Sequence, residues 1–209
     1  MRYLFVLTFV GAGLGAPLLA STACSSTAPV TSIRDASDDR GRLSAPVTID
    51  AGACQATVWS PPLLDSPHVE IGTAVTYNSN PPSSGPHYPI WAAFKEFEAP
   101  VDRRYYVHDL EHGAVVLLYK CQSATECPEI VKELRTVIAG LPSDPLCGGA
   151  VRVRAVLVPD PLLDKKIAVA AWGWTYQADC VDVPSLSKFA RDNYGKGPEA
   201  LCADGQTEF

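Results

Sequence analysis

Residues 113–121, GAVVLLYKC, form a short run whose alternating faces, Ala114/Val116/Leu118 and Val115/Leu117/Tyr119, are both apolar. A strand of that pattern is covered on both sides. The period then changes. In CPEIVKELRTVIAG (127–140), Ile130, Val131, Leu134, Val137 and Ile138 recur at helical spacing, and Leu141 continues the stripe. Pro128 suits the first turn of such a helix and Gly140 its end. AVRVRAVLVP (150–159) alternates Val151/Val153/Ala155 against Arg152/Arg154, so one end of one face should reach solvent. KIAVAAWGWTY (166–176) is apolar on both faces, and the link DPLLDK holds turn residues, which predicts a hairpin between these two strands. VPSLSKFARDNYG (183–195) predicts a shorter helix with Leu186, Phe189, Ala190 and Tyr194 inward.

The order strand–helix–strand–strand–helix predicts an α+β fold, a mostly antiparallel sheet with two helices on one face. Strands apolar on both faces need a second cover. Upstream, residues 47–60 hold two β-like pieces, VTID and CQATVWS. Residues 61–100 carry Pro61, Pro62, Pro67, Pro81, Pro82, Pro86, Pro89 and Pro100, which exclude a long helix. This proline-rich irregular segment is the expected cover of the other face. Irregular stretches of such length inside a compact domain are often functional.

The N-terminus follows a different pattern. MRYLFVLTFVGAGLGAPLLASTAC has one early positive charge, a short apolar run and small residues before Cys24. It reads as a signal peptide over residues 1–23 rather than a membrane span. STAC resembles a lipobox whose cysteine carries lipid, although Ser21 stands where leucine is usual. If Cys24 is not lipidated, cleavage after Ala23 would release a secreted or periplasmic form. Residues 24–46 then make a lipidated cysteine and a flexible tether of small and polar residues. Residues 47–209 are expected to be a single α+β domain.

Cysteine number supports that division. There are seven cysteines, an odd count for an oxidising compartment. With Cys24 assigned to lipid, Cys54, Cys121, Cys127, Cys147, Cys180 and Cys202 remain as disulfide candidates, with their pairing open. The formal charge is −6, and removing residues 1–23 takes away Arg2 and no acid. That balance argues against nucleic acid as a partner. The expected partner is the membrane, through the N-terminal lipid, and no protein partner is indicated.

All four histidines, His68, His87, His108 and His112, lie in one stretch of the chain. VHDLEHG carries the His-x-x-Glu-His letters of a zinc-peptidase class. Gly113 and the β-run after it oppose a long motif helix, and no downstream acidic ligand is evident. The segment therefore reads as the start of the central strand, with His108, Leu110 and His112 on one side. A third ligand is expected from His87, held in the stiff loop PPSSGPHYP. Glu111 would complete the shell or act as a base on bound water. The candidate metal set is His87, His108, His112 and Glu111, with their ring nitrogens about 4 Å apart around a zinc or copper(II) ion. His68 is the weaker candidate. The single methionine, Met1, excludes a thioether copper site.

YNSNPPSSGPHYPIWA, PVDRRYYVHDLEHGAVVLLY, AVAAWGW and YGKGPE, in that order over about residues 65–199, resemble the bacterial family known as domain of unknown function 3105. The resemblance implies an extracytoplasmic bacterial protein and places His87, His108, Glu111 and His112 in the family's motifs. It implies no reaction. Asp109 stands where a serine is expected. Three functions follow as expectations: a lipid-anchored protein that binds a transition metal at a histidine-rich site; a metal-assisted hydrolase with Glu111 as base; and a non-catalytic module whose histidines lock the proline-rich segment onto the sheet.

Overall fold

The structure, a computed structural model, describes residues 41–209. The expected signal peptide, Cys24 and most of the expected tether lie outside the described residues. The elements run β1 (Val47–Ala51), β2 (Cys54–Trp59), α1 (Arg103–Glu111), β3 (Val115–Tyr119), α2 (Pro128–Ala139), β4 (Ala155–Pro159), β5 (Ile167–Ala171), β6 (Trp174–Ala178) and α3 (Val183–Asn193). The six strands form one sheet in the order β1-β2-β6-β5-β3-β4. Every pairing is antiparallel except β3 with β4. The fold is α+β, as the pattern predicts.

The sheet has two apolar faces, and both are covered. Val115, Leu117, Ile167, Val169 and Tyr176 pack with Leu134 and Val137 of α2 and with Leu186 and Phe189 of α3. Val116, Leu118, Val156, Val158, Ala168 and Ala170 pack instead with Ala92, Phe97, Tyr106, Val107 and Leu110. The proline-rich segment therefore covers the second face together with a helix, α1, that the sequence reading treated as strand. Arg152 closes α2 by donating from its guanidinium to the Ile138 carbonyl at 2.6 Å, and also to that of Leu141.

Four further expectations are corrected. β4 and β5 do not form a hairpin, because β3 lies between them, parallel to β4 and antiparallel to β5. The segment 166–176 is not one strand: Gly173 turns it at a φ of +66°, and β5 pairs with β6 across that turn. The strand expected over 150–159 begins only at Ala155. Arg154 does not reach solvent. It is 4% exposed and donates through Nε to Asp144 Oδ2 at 2.8 Å.

Three disulfides, Cys54–Cys180, Cys121–Cys127 and Cys147–Cys202, account for all six cysteines of the folded part. Such bridges suit an oxidising, extracytoplasmic location. Among the described residues no helix is long and apolar enough to cross a membrane.

Candidate functional site

The centre of the site is the C-terminal half of α1. Asp102 starts the helix by accepting from the Arg104 N–H at 3.0 Å. Tyr106, Val107 and Leu110 turn inward at helical spacing. At the other end, Gly113 adopts a φ of +82°, its N–H donates to Leu110 O, and the Ala114 N–H donates to Asp109 O. That pair of bonds is a Schellman stop, which a left-handed glycine permits. His108 is thus on a helix and His112 is its C-cap, so the expected extended geometry is wrong. The helix is only nine residues long.

Two loop segments bring further histidines to this helix. His68 and His87 face each other across an isolated parallel bridge. The Val69 N–H donates to His87 O at 2.8 Å and the His87 N–H to Pro67 O at 3.2 Å. Both histidines follow a proline, Pro67 and Pro86. Ring centroids lie 5.1 Å apart for His68–His87, 4.8 Å for His68–His108 and 4.7 Å for His87–His108.

The hydrogen bonds fix which nitrogen each buried ring presents. His87 Nδ1 lies 2.9 Å from Gly85 O, and His108 Nδ1 lies 2.7 Å from Tyr88 O. A carbonyl only accepts, so each Nδ1 carries the hydrogen and each neutral ring has its lone pair on Nε2. His87 Nε2 is 3.0 Å from Glu111 Oε2. The contact is not aligned as an N–H···O bond, and this buried nitrogen has no hydrogen-bond partner. While the ring is neutral, a lone pair stands against a carboxylate oxygen, an arrangement that a cation or a second ring proton between them relieves.

Burial pulls Glu111 upward, but a hydrogen bond and positive charge from a protonated His87, with the charges of His108 and His68, outweigh that and hold the carboxyl below its ordinary range. Burial lowers His108 to about 4, aided by the neighbouring His87, His112 and His68 rings, so the ring is neutral at neutral pH. A neutral imidazole and an ionised carboxylate are the forms that ligate metals.

His68, His87, His108 and Glu111 each offer one ligand atom, and these atoms all lie within 4.8 Å of one another. This group could hold a metal ion. A tetrahedral ion with N and O ligands at about 2.0–2.2 Å needs ligand separations of about 3.3–3.6 Å, a contraction within reach of small side-chain rotations. The group is thus looser than the sequence-based expectation of about 4 Å, and its membership differs.

His112, expected as a ligand, stands outside this group. Its ring packs edge-on against His108 at 4.6 Å and Trp91 at 4.7 Å, and its Nε2 lies 3.3 Å from Glu199 Oε2. Burial lowers it to about 4, although Glu111 pulls it upward. His68 takes the expected place of His112. Its signal was the repeated Pro-His of SPH and GPH, which marks two similar loop positions. Asp109 is fully buried, and neither of its carboxyl oxygens has a hydrogen-bond partner. Burial pushes it well above its ordinary value.

Sequence reasoning passed over Glu199 and Trp91. Glu199 closes the motif YGKGPE, and Trp91 lies 5.0 Å from His108 by ring centroids. No curated protein and no solved structure matches the chain. The family model described as Protein of unknown function (DUF3105) matches residues 68–204, a span that holds His68, His87, His108, Glu111, His112 and Glu199. With that match over more than half of its length, the chain belongs to the DUF3105 family.

Proposed function

We propose that this chain is an extracytoplasmic protein, anchored by lipid at Cys24 after removal of residues 1–23, that binds a zinc or copper(II) ion. Residues 24–46 tether the domain formed by residues 47–209 to the membrane. The ligands are His68, His87 and His108 through imidazole nitrogen and Glu111 through carboxylate oxygen. One observation carries the reading: the buried Nε2 of His87 faces Glu111 Oε2 at 3.0 Å without an aligned hydrogen bond between them. The Gly85 and Tyr88 carbonyls orient two of the rings, a device common around metal-ligating histidines. An N₃O set of borderline ligands suits zinc or copper(II) better than magnesium or calcium.

The bond from His108 to the Tyr88 carbonyl also pins the proline-rich segment to α1, whereas that of His87 to Gly85 stays within the segment. Each bond uses one nitrogen of the ring, and the other nitrogen of His87 meets Glu111. The hydrolase reading needs Glu111 to act on water rather than to ligate. A closed four-ligand shell opposes it, and a bound water in the fourth position favours it.

The test is metal analysis and calorimetric titration of untagged protein with zinc and copper(II). One ion per chain is expected, with binding abolished in His87→Ala and weakened in His68→Ala. Absence of bound metal, together with no thermal shift on adding either ion, sinks both metal readings.

A further inference from the structure

Beyond α3 the chain turns back across the end of α1. The Gly195 N–H donates to Gly113 O at 2.8 Å, and the Glu199 N–H donates to Glu111 O at 3.0 Å. Between them Gly197 lies so close that a Cβ would fall on the Glu111 carbonyl oxygen and the Gly113 nitrogen. The Glu199 carboxylate meets His112. Further along, the Trp91 indole N–H donates to Ala203 O at 3.3 Å. Gln206 then donates to Trp91 O at 2.7 Å and accepts from the Ala93 N–H at 2.8 Å. Trp91 packs in turn on the rings of His108 and His112. Residues 195–206 are thus a strap that holds the backbone of one candidate ligand and the aromatic wall beside another.

One covalent bond staples the strap to the body. Cys202 lies between Glu199 and Ala203 and is bridged to Cys147, which sits among exposed neighbours in the loop before β4. Apart from an isolated bridge at Gln206, the strap has no regular secondary structure, and much of it is exposed. Segments of that kind open locally at low cost once a restraint is removed.

We infer that the Cys147–Cys202 bond sets the metal affinity of the His68/His87/His108/Glu111 group, and that reducing this bond releases the ion. The inference rests on the metal-binding reading. Reduction is a two-electron exchange with a dithiol: its thiolate attacks one sulfur, the S–S bond breaks, and the mixed disulfide resolves. The products are two cysteine thiols and the oxidised dithiol. The freed strap no longer fixes the Glu111 backbone or Trp91, so the ligands must be ordered at each binding event. By linkage, a bound ion makes the bond harder to reduce by the same factor.

The test compares zinc and copper(II) titrations of the oxidised chain, the double variant Cys147→Ser/Cys202→Ser, and Gly197→Ala. Gly197→Ala keeps the disulfide but forces the strap off Glu111. Both variants should bind one ion roughly 10–100-fold more weakly, the range seen when partners that orient metal ligands are lost. In metal-free double variant, the Gly195 and Glu199 amides should exchange hydrogen faster than in the native chain. The control, Cys121→Ser/Cys127→Ser, should bind like the native chain. Native-like affinity in either the Cys147→Ser/Cys202→Ser or the Gly197→Ala chain, or an equal loss in the control, overturns the inference and leaves the metal reading standing. A native chain that binds neither ion overturns both.

Discussion

Loss of the Arg154 side chain should be felt both by the fold and by the end of α1 that borders the site. Its guanidinium donates to Asp144 Oδ2 at 2.8 Å and to the His112 carbonyl, and it lies over the Tyr194 ring. Arg154→Met keeps most of the volume and deletes the charge. Breaking a buried ion pair by removing one partner costs about 3–5 kcal/mol, because the other charge is left uncompensated. The low end applies here, since Asp144 keeps hydrogen bonds from the Tyr194 hydroxyl at 2.6 Å and the Leu146 N–H at 2.9 Å. Losing the donor to His112 O adds about 1 kcal/mol. The total, about 4 kcal/mol, lowers Tm by about 8–16 °C for a domain of this size. Denaturant unfolding with disulfides intact measures it, and the Asp144→Asn/Arg154→Met double variant should recover part of the loss. A cost below about 1 kcal/mol for Arg154→Met, or no recovery in the double variant, would refute the reasoning.

Other outcomes follow from the same coordinates. Burial raises Asp144, but hydrogen bonds from Tyr194, Leu146 and Arg154 outweigh it and depress its folded value. Its contribution to stability is therefore full above the ordinary carboxylate value and is lost as pH falls through the depressed one; acid unfolding of the native chain against Asp144→Asn reads this. Gly113→Ala places a Cβ 2.8 Å from Arg154 Nη1 at a φ of +82° and should cost about 1–3 kcal/mol by denaturant unfolding. Cys54→Ser/Cys180→Ser opens a bridge with a sequence separation of 126 and should cost about 4 kcal/mol in the same assay. His112→Ala should leave metal stoichiometry unchanged in a titration, because its Nε2 is directed to Glu199 and not to the ligand group.

The sequence pattern carried the elements whose periodicity is local. β3, α2 and α3 stand where the apolar runs put them, because each buries the face its own spacing defines. The β4–β5 hairpin failed because the insertion of β3 between them is a long-range choice that no turn residue encodes. α1 was hidden because His108, Leu110 and His112 alternate, which fits a strand as well as a helix. Its signals were the bracketing caps, Asp102 and Gly113. The cluster of histidines was visible as a cluster, but its membership was not. His68 joins through a backbone bridge to His87, and His112 is drawn away by a residue far along the chain.

The clamp on Glu111 has a consequence for timing. All four candidate ligands are in place by residue 111, whereas Gly195, Glu199 and Cys202 are added only after α2, β4, β5, β6 and α3. At about 5–20 residues per second of synthesis, the histidines precede the strap that steadies them by about 4–17 seconds. An ion met in that interval would find the ligands without their restraint and would be held weakly. On the metal-binding reading, firm loading belongs to the finished, oxidised chain, and disulfide formation, rather than the arrival of the histidines, is the event that commits the protein to an ion.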